Sequence, residues 1–244
     1  MPKPDYVACD LCKLSPICSP VTVGTHSYNF TGEKVNRRHF FKRGEIVFKQ
    51  GDPASLIYAI SAGSLKLIVN VKNSERVIDF RIPGELVDVS SFNNGVHTYS
   101  AYALEDTYLC EIGKDVLNDI ASQIPEVQGR LMTVLSQELS SIQKSSMLLH
   151  GNVNSEEKIA AFVLNLAWRY QLSGYPYKKF KLTMTRTDIA DFLGLVKETV
   201  IRLFKKLQQS GLIHIQGKEL TINNVDSLQK FVGIELICQS KKSL

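Results

Sequence analysis

The chain has 244 residues, 44% of them hydrophobic, and it contains five cysteines. That composition excludes low-complexity and collagen-like classes, allows one or two domains, and leaves room for a core that needs no disulfide staple. The net charge of +5 is uneven, because residues 1–150 hold 15 Lys and Arg against 16 Asp and Glu while residues 151–244 hold 14 against 8. A basic C-terminal part is read either as a nucleic-acid partner or as a solvated basic face. The opening MPKPDYVACD lacks the apolar stretch and small-residue cleavage site of a signal peptide. No apolar run reaches the roughly 18 residues that a membrane helix needs. The expectation is a cytoplasmic chain with reduced thiols.

Residues 1–38 read as a polar, irregular extension with prolines at positions 2, 4, 16 and 20. In it, CDLCKLSPIC sets Cys9, Cys12 and Cys18 in a C-x2-C-x5-C pattern. Five cysteines, an odd number, suit a disulfide framework poorly; a reduced cluster points to metal binding or redox activity. From about Arg43 onward, EIVFKQGD, SLIYAISAGSLKLIVNV, RVIDFRIPGEL and TYSAYALEDTYLCEI are short β-branched and aromatic runs separated by glycines. Strands at this spacing predict a barrel or jelly roll over residues 39–120. After Asp115 the period becomes helical, and Pro125 suits the first turn of a long helix. Met132, Leu135, Leu139, Ile142 and Leu149 recur at steps of 3, 4, 3 and 7. That is a heptad seam, packed on its own domain or on a second copy of the chain.

SEEKIAAFVLNLAWRYQ reads as an amphipathic helix capped at Ser155. A short helix is then expected from Thr185 or Thr187 to Phe192. LGLV follows as a tight turn, with a second helix over Lys197 to Gln209 and a hairpin turning at Gly217. Two helices joined by a Gly-containing turn and followed by a hairpin are a winged helix-turn-helix. In such units the start of the second helix meets base edges. Lys197, Glu198, Ile201 and Arg202 share one face, with Val200 and Leu203 turned inward. Arg202 can grip guanine O6 and N7, and Glu198 can accept from cytosine N4. Arg186, Thr187, Lys205 and Lys206 are placed for phosphates. The alternative is a solvated helix with an i, i+4 Glu198–Arg202 pair. No nucleophile–base set, phosphate loop or paired-carboxylate motif stands out, so an enzyme is not expected.

LTMTRTDIADFLGLVKETVIRLFKKLQQSGLI resembles the helix-turn-helix of the Crp/Fnr family of bacterial transcription regulators. The order of parts resembles it too, over nearly the whole chain. The resemblance implies an α+β protein: an extension (1–38), a β-roll sensor domain (39–120), a dimerisation helix (121–150) and a winged helix-turn-helix domain (151–244). It implies a homodimer along Met132, Leu135, Leu139 and Ile142. It further implies a palindromic DNA site with half-sites about one helical turn apart, and contact with RNA polymerase.

The cyclic-nucleotide branch of that family has a Gly-Glu pair and then Arg-Ser or Arg-Thr to hold the phosphate. Here Gly84 and Glu85 are present, but His97-Thr98 replace the arginine pair, which removes a bidentate phosphate clamp. His26, His39 and His97 are isolated and read as polar or structural. Cys9, Cys12 and Cys18, with Cys110 in TYLCEI, are similar to the four cysteines of the oxygen-sensing Fnr branch. The implied ligand is a [4Fe–4S] cluster, against alternatives of zinc on the same thiolates, thiol redox, or a small molecule in the β-roll. Cys238 lies outside the pattern. Two positions depart from the Fnr type. Ile142 stands where that branch carries an Asp opposing dimerisation. Ile201 stands where it carries a Ser reading thymine, so the outer half-site bases stay open between TTGAT-like and TGTGA-like, around a shared TGA core. Lys13, directly after Cys12, is a cation beside the proposed anionic cluster or simply solvated.

Overall fold

The computed structural model describes residue 12 and residues 21–23, 26–28, 37–72, 74–150 and 154–233. The chain divides into two compact units, Met1–Ser141 and Ile142–Leu244.

In the first unit the β-branched runs form β3 (Arg37–Phe41), β4 (Ile46–Phe48), β5 (Leu56–Ala62), β6 (Leu65–Val71), β7 (Ser74–Arg81), β8 (Leu86–Val87), β9 (Ser100–Ala103) and β10 (Thr107–Gly113). They make two antiparallel sheets, ordered β3-β10-β5-β8 and β4-β9-β6-β7. Phe48, Tyr58, Ile60, Leu65, Leu67, Val87, Ala101, Ala103 and Leu109 fill the core that joins them. Each large side chain so buried contributes about 1.5–3 kcal/mol. Between β5 and β6 the chain turns at Gly63 with φ +88°, where an added Cβ would lie 2.4 Å from Thr107 Oγ1. Only glycine fits that approach. A further hairpin, β1 (Val21–Val23) with β2 (His26–Tyr28), lies inside the stretch read as irregular. Three-residue strands are too short to write a period-two pattern.

A short helix α1 (Ser91–Asn94) precedes β9. Helices α2 (Lys114–Gln123) and α3 (Pro125–His150) are separated at Ile124. Pro125 has no N–H to continue the first ladder, yet it suits the first position of the next. Helix α3 buries Val127, Val134 and the carboxylate-bearing Glu138. Arg81 at the end of β7 donates to Glu138 and also pairs with Asp79 at 3.1 Å. Burial acts to lower the Arg81 pKa, but Asp79, Glu138 and Glu85 outweigh it and hold the guanidinium above its ordinary value. On the other face of α3, Met132, Leu139 and Ile142 are 59%, 57% and 49% exposed, and Leu135 is half-buried.

The second unit departs from expectation at its first helix. Ser155 does not cap α4 (Ser155–Leu172); Asn154 does. Asn154 Oδ1 accepts from the N–H groups of Glu156 and Glu157 at 2.9 and 3.0 Å, and the Glu157 carboxylate accepts from Asn154 N at 2.8 Å. The reciprocal box needs its acid three residues on, which selects Asn154 over Ser155. Nor is α4 amphipathic: every residue from Ile159 to Arg169 is buried. It is the central helix of the unit, and its buried Arg169 donates to Asn165 Oδ1 at 3.4 Å. Around it lie β11 (Lys179–Lys181), α5 (Arg186–Leu193), α6 (Lys197–Gln209), β12 (Ile213–Gln216), β13 (Glu219–Ile222) and α7 (Val225–Val232). Helices α6 and α7 pack on α4, and the sheet order is β11-β13-β12. β11 and α7 were not foreseen. Among the described residues no helix is long and apolar enough to cross a membrane.

Replacing Glu138 by Ala leaves the buried Arg81 short of a counter-charge. Removal of one partner from such a pair costs about 3–5 kcal/mol, so urea denaturation should show the first unit destabilised by that order.

Candidate nucleic-acid interface and cysteine site

Local sequence builds the helix-turn-helix. Thr185 Oγ1 accepts from Asp188 N at 3.0 Å, and the Asp188 carboxylate accepts from Thr185 N at 3.0 Å and from Thr185 Oγ1 at 2.6 Å. This capping box starts α5. Gly194 ends it in the left-handed region, φ +64°, and Leu195 N donates back to Ala190 O at 2.8 Å. Three residues later α6 begins.

Helix α6 buries Val200, Leu203, Phe204 and Leu207. Lys197, Glu198, Ile201, Arg202 and Lys205 all face solvent. The first four are the residues that spacing puts on one face, and Lys205 is the one it places for phosphate. Among the described residues neither Glu198 nor Arg202 forms an ion pair, so both ends of the anticipated i, i+4 contact are open. Thr187 is exposed at the start of α5. The Arg186 guanidinium lies over the Phe204 ring, 3.9 Å from its centroid, and burial lowers its pKa. Stacking uses the flat face of the guanidinium and leaves its N–H edge for an acceptor. Lys206 is committed instead to Glu156, in the first turn of α4. Fifty sequence positions separate those two, so no pattern in the sequence announces the pair. Val196, the N-cap residue of α6, is fully in the open at 65% exposure and was not singled out in the sequence.

In the first unit Cys110 sits on β10, paired across to Arg38 on β3 and Ala59 on β5. Cys110 and Cys12 are both half-buried, and neither is in a disulfide. Both pack against one apolar cluster of Ile57, Ala59, Leu86, Ile112, Leu117 and Val134, which Leu131 also joins. Cys9, Cys18 and Cys238, like Lys13 and the side chain of His26, lie outside the described residues. His39 pairs with Glu111 at 3.3 Å.

The residues at the cyclic-nucleotide positions are turned to internal use. The buried Glu85 carboxylate accepts from Ile82 N at 3.1 Å in its own turn. His97 is 5% exposed and stacks on Phe48 with ring centroids 4.0 Å apart. Its Nδ1 lies 2.7 Å from Asp88 Oδ2, close in distance but off the line of a well-formed hydrogen bond. Burial raises the Asp88 pKa against the opposing effects of Ser91, His97 and Lys114. Lys114 Nζ donates to the carbonyls of Ala54 and Ser91 at 2.7 and 2.6 Å, tying α1 and α2 to the roll.

Residues 38–123 match the cyclic nucleotide-binding domain family, and residues 157–231 match the Crp-like helix-turn-helix domain family. The chain is 37% identical over 223 residues to regulatory protein HlyX of Actinobacillus pleuropneumoniae, covering 91% of this chain and 92% of that protein. It is 35% identical to the anaerobic regulatory protein of Haemophilus influenzae, covering 93% and 88% of the two chains. It is 34% identical to the fumarate and nitrate reduction regulatory protein of Escherichia coli, covering 93% and 91%. Among solved structures, FixK2 of Bradyrhizobium japonicum superposes with a TM-score of 0.70 at 23% identity, over 80% of this chain and 96% of that one. That likeness carries the fold.

The cap at Thr185 sets where α5 begins. Thr185→Ala removes its side-chain bond, which costs about 1 kcal/mol and up to about 2; thermal melting of the second unit should fall accordingly.

Proposed function

This chain belongs to the Crp/Fnr family of DNA-binding transcription regulators, and from that premise we propose that it ties DNA binding to oxygen or redox state through a [4Fe–4S] cluster held by Cys9, Cys12, Cys18 and Cys110. Members of this family are regulators, not enzymes. The observation that carries the proposal is that Cys12 and Cys110, far apart in the chain, pack against the same apolar cluster. A half-buried pair of thiols fits a shared ligand set, and four thiolates are the usual set of such a cluster. When bound, the cluster supplies chemistry that oxygen can alter. The names of the relatives from Haemophilus influenzae and Escherichia coli point to the same physiology.

The residues of this chain supply the rest. The cluster of side chains under Cys12 and Cys110 includes Val134 of α3, and Leu131 packs on it. A change at the thiols therefore reaches α3 through contiguous packing. The opposite side of α3 presents Met132, Leu135, Leu139 and Ile142, and a second copy of the chain is the occupant that a heptad seam suits. The homodimer reads a palindrome with a TGA core in each half-site. Arg202 grips the guanine, Glu198 accepts from a cytosine N4, and Lys197, Lys205, Arg186 and Thr187 meet the outer positions and phosphates. RNA polymerase is the further partner of the bound dimer.

Protein purified without oxygen should carry about four irons and four acid-labile sulfides per chain, with a visible absorption that fades in air. Cys110→Ala should lose both. Zinc, or no metal, would remove the cluster and leave the DNA-binding face intact. The dimer has its own test. Because Ile142 completes the seam without a charge, the cluster-free chain should sediment as a dimer at micromolar concentration, and Ile142→Asp should sediment as a monomer. A wild-type apo monomer overturns this.

A further inference from the structure

We infer that Ile201 and Val196 are specificity-determining residues that each pack on the 5-methyl group of a thymine in the half-site. The inference rests on α6 being the DNA-reading helix.

The open face of α6 is charged except at its middle. Lys197, Glu198, Arg202 and Lys205 surround Ile201, which is 47% exposed. An isolated apolar side chain among four charged neighbours is too small a patch to dock a protein. It is the right size for one methyl group, and the thymine methyl is the apolar feature of the major groove. Isoleucine has no donor or acceptor beyond its backbone, so it can read a base in no other way.

Val196 adds an independent observation. Helices α4, α5 and α7 begin with Asn154, Thr185 and Asn224, and each of those side chains accepts a bond from the helix backbone. Helix α6 begins with Val196, which makes no side-chain cap bond. Valine ranks among the poorest N-caps. It is also 65% exposed, so its place is not explained by packing within the chain. The position gives up capping energy and shows an apolar group to solvent at the end of the helix that enters the groove. Contact with a second methyl group accounts for both costs.

The test uses the full-length chain purified without oxygen. Duplexes are first selected from a library randomised around a TGA core, and each thymine in the selected site is then replaced by deoxyuridine, which deletes only the methyl group. Wild type should bind about four-fold more weakly for each contacted methyl lost, from about 0.8 kcal/mol per buried carbon. Two thymine positions per half-site should show the effect. Ile201→Ser should abolish the penalty at one position and leave the other; Val196→Ser should do the reverse. Val196→Ser should also melt at a higher temperature than wild type, because serine caps the helix, which separates lost reading from lost folding. No penalty at any thymine in wild type, penalties unchanged in both variants, or a selected site without the second thymine overturns the inference while DNA reading stands. If wild type selects no sequence and Arg202→Ala binds every duplex as wild type does, the reading of α6 fails with it.

Discussion

A buried carboxylate sets the attitude of the long helix. Glu138 lies on the covered side of α3, and a buried charge is costly unless it is paired. Its partner, Arg81, comes from the end of β7 and is held by Asp79 as well. The pair, with Val127 and Val134, leaves the helix little freedom to roll about its own axis. Met132, Leu139 and Ile142 are therefore turned out to solvent. The seam is open because its opposite face is occupied. The same buried face also touches the apolar cluster under Cys12 and Cys110, so that cluster and the exposed apolar stripe lie on opposite sides of one helix.

The helix-turn-helix works by a different economy. Its geometry comes from contacts at most a few residues apart: the Thr185–Asp188 box, the left-handed Gly194, and the alternation of buried Val200, Leu203 and Leu207 with exposed cations. Such contacts write themselves into the sequence, which is why the limits of α6 and the residues on its open face were legible there. Arg186 on Phe204 and Lys206 on Glu156 are the exceptions. Both are cations held by partners that only folding brings near.

In the β-roll, the residues at the cyclic-nucleotide positions make contacts within the protein. Gly84 and Glu85 persist, but Glu85 bonds its own turn. His97 stands in the arginine position, buried against Phe48 beside Asp88. All three groups are buried inside the protein. The half-buried thiols of Cys12 and Cys110 make a second, separate locus on the same unit.

The residue string alone determined the α+β order of parts, the strand-rich first unit, the exposed apolar stripe on α3 and the solvent face of α6. Each rests on short-range periodicity or on a local cap. Tertiary structure alone decided the rest. It buried the middle of α4, Ile159 to Arg169, on every side, because such burial depends on what packs around the helix and not on its own period. It formed the β1–β2 hairpin and β11, whose strands of three residues are too short for their alternation to mark a strand. It paired Arg81 with Glu138, and it brought Cys12 to the apolar cluster that holds Cys110. Those contacts join residues far apart in the chain, and no spacing rule reaches that far.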